Sequence, residues 1–149
     1  MNKEILNSIL FLSFSILIGC KSDNVEGIIL ENTLVVHQSF SENRRMESLI
    51  KSSLDKESNA FNQLIHFPNG GGESSYNFGF VITQIIYKNN DDEIIKMIRN
   101  YDKKDIKLLE SYIAVGLEYG DNNYDGNMDE SNIKDEFPRL FNFINNRIY

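Results

Sequence analysis

From Ser41 onward, apolar residues return at intervals of three and four, the spacing that gathers them on one face of a helix. The clearest run is Ile106, Leu109, Tyr112, Ile113 and Leu117. Asp102-Lys103-Lys104-Asp105 opens it in the form of a capping box, with Asp where Glu is usual. Gly120 closes it at the position of a C-terminal cap. Ser41 is placed to cap a helix carrying Met46, Leu49, Ile50 and Leu54. Asp55 is placed to cap another, with Ala60, Phe61, Leu64 and Ile65 on one face. Asp92 stands before Glu93 to Tyr101, whose inward residues are Ile94, Ile95, Ile98 and Tyr101. Asp135 precedes a last helix through Leu140, Phe141 and Ile144, with Pro138 in its first turn, where the missing N–H costs little.

Two segments are less decided. Ile28 to His37 is apolar but short, and its periodicity fits a strand or a helix. Tyr76 to Tyr87 alternates like a strand at Tyr76, Phe78, Phe80 and Ile82, yet Phe78, Ile82, Ile85 and Ile86 also fit a helix, and Gln84 spoils further alternation. Helix is the reading here, because the neighbours are helical and no partner strand is evident. The expected fold is all-α: five or six short helices packed as antiparallel pairs, with a short strand or extra helix near residues 28–37. The single cysteine, Cys20, rules out an intramolecular disulfide, so the fold must rest on packing alone. At 41% hydrophobic residues, a chain of 149 has the material for one core.

The start of the chain has a different character. Lys3 is followed by an apolar stretch, Ile5 to Ile18, and then by Leu17-Ile18-Gly19-Cys20. About 14 apolar residues fall short of the roughly 20 that a permanent membrane span needs. This segment resembles the bacterial lipoprotein signal, whose lipobox reads Leu, a small or aliphatic residue, Gly or Ala, then Cys. The resemblance implies removal of residues 1–19, acylation of Cys20 and anchoring to a membrane by two or three chains. Lys21 stands where Asp would mark inner-membrane retention in that family, which favours the outer membrane, at its periplasmic face or the cell surface. The expected organisation is a signal peptide over 1–19, a lipidated tether over 20–27, and one acidic helical domain over 28–149.

The net charge is −7. Such a surface repels nucleic acid and anionic headgroups. Acids concentrate between Glu118 and Glu136: Glu118, Asp121, Asp125, Asp129, Glu130, Asp135 and Glu136 stand there against Lys134 alone. A solvated face is the plain reading; the functional one is an electrostatic docking surface for a basic protein.

Within that stretch, Asp121-Asn122-Asn123-Tyr124-Asp125-Gly126-Asn127-Met128-Asp129-Glu130-Ser131-Asn132 resembles the calcium loop of EF-hand and dockerin-like proteins. The resemblance implies Ca2+ as cofactor. Side-chain oxygens would come from Asp121, Asn123 and Asp125, a turn from Gly126, a backbone carbonyl from Asn127, and a water-mediated contact from Asp129. Asn132 replaces the bidentate Glu that closes the family's loop, removing one charge and one oxygen.

Other chemistry is thin. Gly70-Gly71-Gly72 before Glu73 could form an anion nest, but no Lys follows in the P-loop position and Glu73 would repel a phosphate, so a helix connection needing positive φ is the reading. His37 and His66 stand in no zinc-spaced cluster, and His66 near a helix end fits a structural role. No Ser lies in a G-x-S-x-G elbow. Glu110 and Glu118 stand near other acids, but among 22 acidic residues such proximity arises by chance. The expectation is therefore a non-enzyme: a lipid-anchored envelope module that binds another protein, of the inhibitor or immunity kind. The alternatives are a calcium-stabilised structural or adhesive component and, behind it, a hydrolase of envelope polymer.

Overall fold

A computed structural model describes residues 24–36 and 38–148. The lipobox, Cys20 and His37 lie outside these residues. The order is β1 (Asn24–Val25), β2 (Ile28–Ile29), α1 (Asn32–Val36), α2 (Phe40–Leu54), α3 (Ser58–Ile65), α4 (Glu73–Ile98), α5 (Lys103–Tyr119), α6 (Ile133–Glu136) and α7 (Pro138–Ile148). The described residues thus form seven helices packed in pairs and one small antiparallel hairpin, an all-α fold as expected.

The hairpin turns through Glu26 and Gly27, both with positive φ, as a two-residue turn of the mirror-image type requires. Val25, Ile28 and Leu30 are buried, so the end of the segment read as a tether is drawn into the folded body. The apolar stretch at 28–37 divides between the two readings: Ile28–Ile29 is strand and Asn32–Val36 is helix.

The segment around Tyr76 to Tyr87 is helix, and its ambiguity has a physical cause. Every residue from Phe78 to Ile86 is buried. Helix α4 runs through the middle of the molecule, packed by β2, α1, α2, α3, α5 and α7. A helix covered on all sides carries no polar face, and the periodicity that marks an amphipathic helix disappears. Gln84 sits inside this core because its amide serves the hairpin: Oε1 accepts from the Ile29 N–H at 2.8 Å and Nε2 donates to the Ile29 carbonyl at 3.1 Å.

The closest pairing is α4 against α5. It depends on Gly79 and Gly116, which bring the two backbones together. A Cβ on Gly116 would overlap the Gly79 carbonyl, and one on Gly79 would lie 2.8 Å from the Tyr112 carbonyl oxygen. Helix α4 bends at Asn90, which holds φ 66° and ψ 166°. Its Oδ1 accepts from the N–H groups of Asp92 and Glu93, restarting the helix beyond the bend.

Several caps fall elsewhere than expected. Helix α2 is capped by Ser39 and not Ser41, with Glu42 completing a reciprocal box. Asp55 ends α2 and does not start α3, whose N-cap is Glu57 without a side-chain bond. Asn90 replaces Asp92 as the cap in α4. Asn132, not Asp135, caps the short α6, and α7 starts separately at Pro138. Asp102 caps α5 as read, accepting from the Asp105 N–H at 2.8 Å.

Candidate functional site

Helix α5 ends at Gly120, and the chain enters the acidic loop that leads to α6. Asn122 fixes this loop to the core. Its Nδ2 donates to the Gly116 carbonyl at 2.9 Å and to Asp129 at 2.8 Å, while its Oδ1 accepts from the Thr83 hydroxyl at 2.8 Å. The return arm is tied down by the Asp129 N–H to the Gly120 carbonyl and the Ser131 N–H to the Leu117 carbonyl. Sequence reading passed over Asn122 because it fills a spacer position in the calcium-loop pattern.

The carboxylates and amides matched to that pattern serve the loop's own backbone. Asp121 accepts from the N–H groups of Asp125 and Gly126, Asn123 from Asp125, and Asp125 from Asn127. Asp129 accepts from the Asn122 N–H and side chain. Asn132 spends its Oδ1 on the Lys134 and Asp135 N–H groups, as the cap of α6. Among the described residues, no group of three or more His, Cys, Asp and Glu side chains could hold a metal ion.

The seven acids read as a docking surface line the end of α5, the loop and α6. Glu118, Asp125, Glu130, Asp135 and Glu136 are exposed, and Asp121 and Asp129 are half-buried. Among the described residues, the ion pairs lie elsewhere: Lys56 and Lys96 with Glu93, His66 with Asp105, and Arg139 with Asp92. No cation therefore neutralises any of the seven through a direct ion pair. Glu136 accepts from the Tyr87 hydroxyl at 2.7 Å; burial of the phenol, and then this bond, push the Tyr87 pKa above its ordinary value.

Apolar side chains stand among these acids. Tyr119 is 44% exposed and Met128 62% exposed. Tyr119 meets Tyr76 of α4 edge-on, with ring centroids 5.0 Å apart. The neighbouring Glu118 carboxylate, as hydrogen-bond partner and negative charge, holds the Tyr119 pKa above its ordinary value. Between α5 and the loop lies a cleft of about 460 Å3, lined by Ala114, Glu118, Tyr119, Met128, Glu130 and Ile133 among others. The sequence signal for this feature was faint: Tyr119 and Met128 look like isolated apolar residues in a polar stretch.

The remaining candidates have structural roles in the fold. Gly70, Gly71 and Gly72 all hold positive φ, the conformational demand read from the sequence. Asn69 accepts from the Gly71 N–H at their base. His66 is the C-cap of α3, and its Nε2 lies 2.8 Å from Asp105 of α5. Glu110 and Glu118 are eight residues apart on α5, about 12 Å along its axis, too far for a close carboxylate pair.

Fold and surface together define a small all-α domain, built round one enclosed helix and carrying an acidic loop at one end. The chain belongs to the family described as a protein of unknown function (DUF1374), whose profile matches residues 30–114. That stretch runs from the end of the hairpin to Ala114 in α5, so the acidic loop and the last two helices lie beyond it. No curated protein and no solved structure matches the chain.

Proposed function

We propose that this chain is a lipid-anchored protein of the bacterial cell envelope, attached through Cys20, whose acidic loop region binds another protein in the manner of an inhibitor or immunity module. The supporting observation is a set of seven carboxylates that make no ion pair among the described residues, next to exposed Tyr119 and Met128. Recognition surfaces combine aromatic residues and methionine with a charged rim, and unneutralised charge speeds encounter with a partner of opposite sign. The same charge argues against nucleic acid as the partner. Attachment itself needs no membrane-crossing segment, and no helix of the described residues is long and apolar enough to cross a membrane.

Pull-down from envelope extracts with the acylated chain, across a salt series, tests the reading. A basic protein retained at low salt and released as salt rises is expected. Replacing Asp125, Glu130, Asp135 and Glu136 together by Lys should abolish the retention. Retention that ignores both salt and the charge reversal would defeat the proposal.

A further inference from the structure

The geometry points to a specific seat within the acidic surface: the cleft between α5 and the loop takes an apolar side chain of the partner protein, flanked by lysine or arginine. This inference rests on the protein-binding reading and narrows it.

The cleft has mixed apolar and acidic walls. Ala114, Tyr119, Met128 and Ile133 line it beside Glu118 and Glu130, with Ser131 and Asn132 completing it. Its volume of about 460 Å3 has room for large side chains. Met128 is a flexible, polarizable wall that adapts to what enters. Tyr119 is steadied by its edge-on contact with Tyr76.

The walls are held before any partner arrives. Asn122 pins one arm of the loop, and the Ser131 N–H bond to the Leu117 carbonyl pins the other. Preorganisation of this kind lowers the ordering cost of association. Glu130 is held at φ 49°, a conformation that Asn adopts with less strain than Glu.

Charge selects the occupant. The surrounding acids repel an anionic ligand, an anionic lipid surface and the same face of a second copy of this chain. A cationic segment with an apolar residue at its centre satisfies both the acidic and the apolar walls. Apolar contact at the centre with charge around it is the usual arrangement of an interface hot spot.

Three synthetic hexapeptides and the full-length chain supply the test. The first carries Leu-Phe between two pairs of lysines, the second Gly-Gly between the same lysines, and the third Leu-Phe between two pairs of glutamates. The Met128 methyl resonance, assigned by its loss in Met128→Leu, reports occupancy. Only the first peptide should shift it strongly, with affinity falling as salt rises. Glu130→Asn should weaken that binding about tenfold, the equivalent of one lost charged contact. Its melting temperature should stay level or rise, because the left-handed backbone is eased. A merely structural role for Glu130 would instead leave binding intact. If the glycine peptide binds as tightly as the first, the cleft proposal falls and the broader acidic-surface reading stands. If neither lysine peptide binds at low salt, both fall. A Met128 signal that moves with the chain's own concentration would mean that a second copy occupies the cleft, overturning the assignment.

Discussion

Asp105 is held by two neighbours on α3: Asn62 donates to it at 2.9 Å and His66 lies at 2.8 Å. Burial pulls its carboxyl upward, but the bonds from Asn62 and His66 outweigh this, and the net pKa lies below the ordinary carboxylate value. A carboxylate with a depressed folded pKa stabilises the fold above its unfolded value, and the stabilisation is lost as pH falls through the folded one. Asp105→Asn should therefore cost about 1 kcal/mol at neutral pH and flatten the loss of stability below about pH 4. Urea unfolding of both proteins across the acid range checks it; parallel curves would show that the pair contributes nothing. Asn122 carries a larger share of the loop. Its side chain serves Gly116, Asp129 and Thr83 together, so Asn122→Ala should lower stability by about 2 kcal/mol. An unchanged denaturation midpoint would show the loop to be independent of the core.

Helix α4 and its pairing with α5 govern the element scale. Ala in place of Gly inside an exposed helix normally stabilises by about 1 kcal/mol. At Gly116 the sign should reverse, because the added methyl meets the Gly79 carbonyl and both backbones are fixed by packing. Gly116→Ala should destabilise by about 3 kcal/mol through overpacking, read from thermal unfolding, whereas a neutral result would mean that the helices can slide apart freely. The acidic loop is the other decisive element. Its last position, Asn132, supplies no bidentate carboxylate and spends its side-chain oxygen capping α6. Added calcium should leave the melting temperature unchanged. A rise that disappears when Asp121 and Asp125 are both replaced by Ala would show that the loop binds calcium.

For the whole molecule, the anchor and the folded body form separable claims. Three residues lie between Cys20 and Asn24, so the four Cα–Cα steps of the tether reach at most about 14 Å when fully extended. On that reading the domain stands close to its membrane. Cys20→Ser should move the chain from the membrane fraction to the soluble fraction without altering its melting temperature. Persistent membrane association in that variant would exclude the lipid as the attachment.

The helical spacing of α5, α2 and α3 was legible because each keeps one polar face against water, and a two-sided environment prints itself on the sequence. So was the acidity of the 118–136 stretch, since charge is a property of composition. The Ser39–Glu42 box is also visible in the sequence as Ser-x-x-Glu, although Ser41 competes with Ser39 as a cap candidate by residue type. Residue order alone left α4 ambiguous, for an enclosed helix has no wet side to mark its period. It likewise hid the meaning of Gly79 and Gly116, which appears only where two backbones meet. The cleft belongs to this second group: Tyr119 and Met128 are unremarkable along the chain, and they form a surface only because Asn122 and the capped α6 fold the loop back against α5.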